Sequence, residues 1–142
     1  MSVRTIVVGV DGSEVAARAV EWTAEVAGLL GARVIAVHSF QPLDHLGESP
    51  PPYDFAQIER AVTALLEGEW TAALAGVEHE CKVLHGAPFE CLLDAAQDAG
   101  ADLVVVGTRG HSLLRGLALG STATKLLHTS GLPVTVVPPH ER

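Results

Sequence analysis

The stretch that decides the fold is ADLVVVGTRGHSLLRGLALGST, residues 101–122. It contains LVVV at residues 103–106, a continuous apolar run typical of parallel strands covered on both faces. Gly107, Gly110 and Gly120 follow this run, and Gly120 leads into a helical pattern. A buried strand, a glycine-containing loop and a helix in this order are typical of α/β domains.

Four further segments have the composition of strands: residues 5–10, 33–39, 77–84 and 133–137. Three of them are rich in Val and Ile and nearly continuous in apolar residues, which again predicts strands covered on both faces. Residues 77–84 instead alternate, with Glu78, Glu80 and Lys82 on one side. We therefore place this strand nearer an edge of the sheet.

Four helical patterns separate the strands. The first ends at Gly31, the second runs from about residue 55 to 75, the third ends at Gly100 and the fourth at Gly131. The residues expected on the buried faces are Ala16, Val20, Thr23, Ala27, Leu30, Ile58, Val62, Leu65, Ala72, Phe89, Leu92, Leu93, Ala96, Ala123, Leu126 and Leu127. The alternation predicts a single doubly wound α/β domain, residues 1–142, with five parallel strands.

Composition and charge exclude several classes of protein. The formal net charge is −8, so the chain lacks the overall basic character that attracts nucleic acid, and we expect no nucleic-acid partner. Cys81 and Cys91 lack C-x-x-C spacing and indicate reduced thiols. His79, Cys81 and His85 form no standard metal-ligand pattern, so we interpret them as core residues and predict no metal site. Without a leader or a membrane span, we expect a cytoplasmic protein with no membrane partner.

The first strand ends in Val10-Asp11-Gly12-Ser13-Glu14. Ligands of open α/β sheets bind beyond the carboxyl ends of the strands, where the Asp11 carboxylate can hydrogen-bond a ribose or a base edge. The same residues fit a helix cap, in which Asp11 or Ser13 accepts from free amides of the first helix. The sequence leaves both interpretations open.

After the fourth strand the glycines follow the pattern G-x-x-G, nine residues, G-S, ending at Gly120-Ser121-Thr122. Glycine allows a close approach of backbone to ligand, and the amides at a helix start favour phosphate. The hydroxyls of Ser121 and Thr122 can add contacts or cap the helix. No Lys follows as in a Walker A loop. We therefore predict a phosphate site of another kind.

Other side chains carry weaker signals. Arg109, His111 and Arg115 lie in the glycine loop, where they can screen phosphates or remain solvated. Trp22 and Trp70 fall on predicted helices. We interpret both as packing or interface residues rather than stacking platforms.

The glycine pattern resembles the G-2x-G-9x-G-[S/T] nucleotide motif of the universal stress protein family, here Gly107, Gly110, Gly120 and Ser121. The resemblance covers nearly the whole chain, including IVVGVDGS at residues 6–13, VH at 37–38, GAP at 86–88, ADLVVVG at 101–107 and LPV at 132–134. It implies a Rossmann-like sheet of strand order 3-2-1-4-5 with helices on both faces. The Pro-rich segment 41–54 is a departure, in a region that the family varies.

The resemblance also implies a site for ATP, with Mg²⁺ as the usual companion ion. Adenine and ribose would lie near Val10, Asp11 and Ser39. The full set of implied nucleotide-binding residues is Gly9, Val10, Asp11, Ser39, Val106, Gly107, Arg109, Gly110, Gly120, Ser121 and Thr122. Family members commonly dimerise through the last strand, which here implies contacts at Val134, Val136 and Val137.

These features favour a regulatory ATP-binding protein of the stress response with at most slow ATP hydrolysis. We predict no catalytic residue, because no dedicated base stands out beside the phosphate site, Glu14 and His111 being unsupported candidates. Three alternatives stay open: an ATPase or adenylyl- or phosphotransferase, a scaffold dimer whose stability the nucleotide tunes, and a binder of another adenine nucleotide such as cAMP.

Overall fold

The computed structural model describes residues 2–42, 51–108 and 119–140. Their elements, in chain order, are β1 Thr5–Gly9, α1 Glu14–Leu30, β2 Arg33–Phe40, α2 Phe55–Glu67, a 3-10 helix at Glu69–Leu74, β3 His79–His85, α3 Pro88–Ala99, β4 Leu103–Gly107, α4 Ser121–Thr129 and β5 Val134–Val137. The strands form one parallel sheet of order β3-β2-β1-β4-β5. The expected fold class and strand order are therefore confirmed.

Strand β1 lies at the centre of the sheet. Val7 pairs with Ile35 on one side and with Val104 on the other, and all three are at most 1% exposed. Both faces of β1 are covered because its side chains alternate between two cores. This explains why residues 5–10 and 103–106 read as continuous apolar runs rather than as alternating ones.

The two cores lie on opposite faces of the sheet. On one face Ile6 and Val8 pack in a cluster with Ala19 of α1 and Leu66 of α2. On the other, Val7 belongs to a second cluster that includes the following residues of the neighbouring strands and helices: Ile35, Val104, Leu92 and Leu126. Helices thus cover both faces, as the doubly wound prediction requires.

Several expected element boundaries hold and one fails. Gly31 and Gly100 end α1 and α3 in the left-handed conformation, with φ of 67° and 62°. The expected helix over residues 55–75 is wrong, because Gly68 leaves helical geometry at φ −119° and ψ −95°. The chain then continues as the separate 3-10 helix, whose Thr71 donates its hydroxyl hydrogen to the Leu66 carbonyl at 2.7 Å.

Four residues expected on buried faces are exposed. Leu30 is 54% exposed at the end of α1, and Leu127 is 50% exposed on α4. Leu65 and Ala72 are also exposed, while Leu66 and Leu74 take the buried positions. The break at Gly68 changes the helical phase for Ala72 and Leu74, which follow it. The expected edge position of β3 is confirmed, and its Cys81 and Val83 pack against the core.

Candidate functional site

A cavity of about 780 Å³ opens at the carboxyl ends of β1, β2 and β4. This is the edge where parallel sheets bind ligands, and the volume lies within the roughly 300–1,000 Å³ of small-molecule sites. Its described lining consists of Gly9, Val10, Asp11, Gly12, Ala16, Val37, His38, Ser39, Gln41, Val62, Leu65, Trp70, Pro88, Leu92, Val106, Gly107, Thr108, Gly120, Ser121, Thr122 and Ala123. Nine of the eleven predicted nucleotide-binding residues are among them.

The remaining two predicted site residues, Arg109 and Gly110, lie outside the described residues. The same holds for His111 and Arg115, which the sequence also places in the glycine loop. Within the part of the lining that is described, no side chain belongs to Lys or Arg.

The turn after β1 shows how Asp11 and Ser13 divide their roles. Ser13 is the N-cap of α1, and its hydroxyl oxygen accepts the Ala16 amide hydrogen at 3.1 Å. Asp11 Oδ1 accepts from the Ser13 amide at 2.9 Å and from the Ser13 hydroxyl at 2.6 Å. Ser13 is therefore the cap, and Asp11 holds that cap in place while also lining the cavity.

Helix α4 points its N-terminus at the cavity. Gly120 occupies the N-cap position, so Ser121 and Thr122 are the first residues of the helix and do not cap it. The first amides of a helix lack intrahelical acceptors and carry the positive end of its dipole. Gly120 is fixed by its own amide, which donates to the Thr108 carbonyl at 2.5 Å. The amides of Ser121 and Thr122 thus suit an anionic group.

Gly107 has a structural reason to lack a side chain. A Cβ placed on it would lie 2.4 Å from Cγ1 of Val15 in α1. The close packing of α1 against the end of β4 therefore depends on this glycine. Gly107 and Val106 also line the cavity, which agrees with the expected position of the motif.

The end of β2 forms the opposite wall. The Ser39 hydroxyl donates to the Gly86 carbonyl at 2.5 Å, and its oxygen keeps the capacity to accept. His38 Nδ1 lies 2.8 Å from the Val10 carbonyl, and since a carbonyl only accepts, this nitrogen carries the hydrogen. Asp11 and His38 are the titratable side chains of the lining as far as it is described.

Two of the three residues interpreted from the sequence as core residues, without a metal role, lie at the surface. His79 and His85 are exposed, which corrects the expectation that they are core residues. His79 Nδ1 contacts the Val77 carbonyl at 2.8 Å, and His85 lies 2.9 Å from the Glu59 carboxylate. Among residues 2–42, 51–108 and 119–140 no cluster of three or more His, Cys, Asp or Glu is placed to hold a metal ion.

Both cysteines are free thiols. Burial raises the pKa of Cys91, partly offset by a hydrogen bond with Ser39. Burial likewise raises the pKa of Cys81, although a hydrogen bond with Thr71 lowers it in part. Neither environment favours the thiolate, so neither cysteine has the character of a nucleophile.

Sequence reasoning missed Trp70 as a cavity residue. Trp22 and Trp70 both pack against the core, as expected, but Trp70 in addition lines the cavity. The expected continuous helix concealed this position, because residues 69–74 leave the axis of α2 at Gly68 and pack against α1. A glycine inside a helical pattern was the available signal.

A model of the Universal stress protein family matches residues 2–138. A universal stress protein of Thermus aquaticus is 38% identical over 139 residues, which cover 94% of this chain and 98% of that protein. The chain also matches longer relatives, and it spans 44% of a Mycobacterium tuberculosis universal stress protein to which it is 31% identical.

Solved structures share the fold. The hypothetical protein MJ0577 has a TM-score of 0.80 at 21% identity, with 100% of both chains covered. A universal stress protein in complex with cAMP has a TM-score of 0.74 at 27% identity, covering 99% of this chain and 100% of that one. An Archaeoglobus fulgidus universal stress protein in complex with dAMP has a TM-score of 0.64 at 26% identity, covering 96% and 99%.

Proposed function

Because the chain belongs to the universal stress protein family, we propose that it binds an adenine nucleotide, ATP foremost, as a regulatory module of the stress response. The observation that carries the proposal is the helix N-terminus at Ser121 and Thr122, whose amides face a cavity with apolar walls. Such amides suit phosphate and such walls suit a base. The cAMP and dAMP complexes of similar proteins support the same ligand class.

Mg²⁺ fits the proposed site as an ion that arrives on the phosphates. Proteins bind Mg²⁺ through one or two carboxylates together with substrate phosphates and water. Asp11 is the carboxylate of the described lining, and its Oδ1 is already engaged by Ser13. When bound, the ion would neutralise phosphate charge in a lining that, as described, contains no Lys or Arg.

Hydrolysis in this site is proposed to be slow at most. Phosphoryl transfer to water needs a group that positions the attacking molecule. His38 Nδ1 is committed to the Val10 carbonyl, and Asp11 holds the Ser13 cap. Incubating ATP with excess protein would test this, and turnover near one per second would favour the enzymatic alternative.

We further propose that two copies associate through β5, an edge strand of the sheet. Val134 and Val136 pack against the second core but stay half-buried, whereas Val137 is only 4% exposed and belongs to the first core. Val134 and Val136 are therefore the better candidates for contact. The two free thiols agree with the reducing conditions of a cytoplasmic location, which we propose for the protein.

Binding is tested by heating the purified protein and identifying any released nucleotide by chromatography. Calorimetric titration with ATP, ADP, AMP and cAMP, with and without Mg²⁺, then ranks the ligands. Gly120→Val should weaken ATP binding at least tenfold, because its branched side chain would crowd the first amides of α4. Valine tolerates the extended backbone of residue 120, so the variant should still fold. Gly76→Val is the control, since open space surrounds Gly76. Failure of every adenine nucleotide to bind below the millimolar range would refute the function.

A further inference from the structure

Trp70 lies at the cavity in the short 3-10 segment Glu69–Leu74. This helix begins directly after the break at Gly68. Its Thr71 is 3% exposed and donates to the Leu66 carbonyl, and Leu74 is fully buried. Thr71 itself leaves helical geometry, with φ −120° and ψ 21°, so Trp70 lies just before a kink. The buried Thr71 and Leu74 anchor the chain at and after this kink, which limits how far Trp70 can move.

The Trp70 ring is fixed by contacts of its own. A Cβ on Gly12 would lie 2.6 Å from Trp70 Cζ2 and 2.9 Å from Cε2, so the indole rests directly on the Gly12 backbone. On another side the Trp70 and His38 rings have centroids 5.4 Å apart at 51°. The hydrogen bond between His38 and Val10 fixes the orientation of His38 in turn.

The described lining divides into two chemical halves. The apolar part of the lining includes Trp70, Val62 and Leu65, from the side of the sheet that α2 covers, together with Val37 and Leu92 from the second core. The other half presents the backbone of Gly107 and the amides at the start of α4. A ligand that fills both halves needs a flat apolar group joined to an anionic group.

We propose that Trp70 contacts the base, so that the site binds nucleotides through an aromatic surface as well as through phosphate. This inference rests on the proposed nucleotide function and adds a recognition element to it. Aromatic side chains stack on the π-face of any nucleobase. A ring that is already ordered before binding loses little conformational entropy when the base binds.

The expected effect is a loss shared by all ligands that carry the base. Trp70→Leu should weaken AMP, ADP and ATP by the same factor, roughly tenfold, because the three share adenine and differ only in phosphate. Trp70→Phe keeps an aromatic ring and should lose less. Calorimetry gives the affinities, and circular dichroism with thermal unfolding establishes that each variant is folded.

Fluorescence supplies a measurement in which an aromatic ring is kept at both positions. The chain has two tryptophans, Trp22 and Trp70, so Trp22→Phe leaves Trp70 as the single reporter and Trp70→Phe leaves Trp22. ATP should change the emission of Trp22→Phe and leave that of Trp70→Phe unchanged. Trp22 packs against the core and is absent from the described lining, which makes it the matched control.

The outcomes distinguish a failure of the role of Trp70 from a failure of the proposed nucleotide binding. If wild type binds ATP while Trp70→Leu binds it within twofold of wild type, or the emission change follows Trp22, the role of Trp70 is refuted and the function stands. If wild type binds no adenine nucleotide, the proposed function fails and the role of Trp70 fails with it. A loss that differs between AMP and ATP would assign Trp70 to the phosphates and overturn the inference.

Discussion

At the scale of single residues, Gly12 carries two constraints at once. Its φ is +83°, a conformation that side chains rarely adopt, and the Trp70 indole occupies the space that a Cβ would need. The first constraint belongs to the turn after β1, and the second belongs to the packing of the cavity wall. Gly31 shares only the first, since it has φ +67° and open space around it.

We expect Gly12→Ala to lower the free energy of unfolding by about 3 kcal/mol, roughly 1 from the left-handed backbone and 2 from overpacking. Gly31→Ala, the matched control, should cost only about 1 kcal/mol. Combining Gly12→Ala with Trp70→Leu should cost less than the sum of the single effects, because the smaller side chain relieves the clash. Urea unfolding of the four variants measures this coupling, and strict additivity would contradict the contact.

Asp102 acts between elements, because it joins the entry of β1 to the start of β4. Its Oδ2 accepts the amide hydrogens of Arg4 at 2.9 Å and Thr5 at 3.1 Å. The Asp102 amide in turn donates to the Thr5 carbonyl at 2.9 Å. The hydrogen bonds from the Arg4 and Thr5 amides lower the pKa of Asp102, since they stabilise its charged form.

This lowered pKa predicts how stability depends on pH. In the unfolded chain the Asp102 carboxylate is protonated at a higher pH than in the folded one. Its contribution to the free energy of unfolding is therefore complete above about pH 4, and it is lost as the pH falls through the lowered pKa of the folded state. Asp102→Asn should therefore lower the melting temperature at pH 7 and have a smaller effect at pH 3. Asp98→Asn, on the exposed side of α3, serves as the control. If Asp102→Asn lowers the melting temperature equally at pH 7 and pH 3, the charge of the Asp102 carboxylate does not contribute to stability.

The sequence predicted elements best where local chemistry and tertiary packing agree. Glycines in left-handed geometry ended α1 and α3 as expected, and continuous apolar runs identified β1 and β4. Helical periodicity failed at Leu30 and Leu127, because it shows which residues share a face but not how far the neighbouring element extends. The position of Trp70 depends on the dihedral angles of Gly68; the glycine indicates where the helix can break, but its sequence position does not give the angles.

At the scale of the whole molecule, the net charge of −8 is not concentrated at the described cavity. Asp11 is the one carboxylate of the described lining, so most of the acidity lies elsewhere and serves solubility. Affinity for an anion would then come from oriented amides close to it. An acidic chain is thus compatible with a phosphate ligand.

The edge of β5 determines the expected assembly. The Pro133 and Val137 carbonyls accept from β4 amides, at 3.1 Å to Val104 and 3.0 Å to Thr108. Successive backbone groups of a strand point in opposite directions, so the amides of Val134 and Val136 face away from the sheet. These amides are the groups that a second copy would pair with.

We expect wild type to have about twice the 14.8 kDa of one chain in light scattering after gel filtration. Val136→Pro should yield monomers, because it removes an outward amide and leaves the hydrogen bonds to β4 intact. Val136→Ala keeps the amide and is the control for the lost side chain. A wild-type monomer, or a Val136→Pro dimer, would refute pairing through β5.

The central place of β1 has a consequence for synthesis of the chain. Val7 pairs with Ile35 on one side, yet its other partner, Val104, leaves the ribosome much later. At about 5–20 residues per second, the nascent protein holds the middle of its sheet with one side unpaired for several seconds. An open apolar strand of this kind pairs readily with other chains. We therefore expect translation to be a period in which this protein is exposed to aggregation.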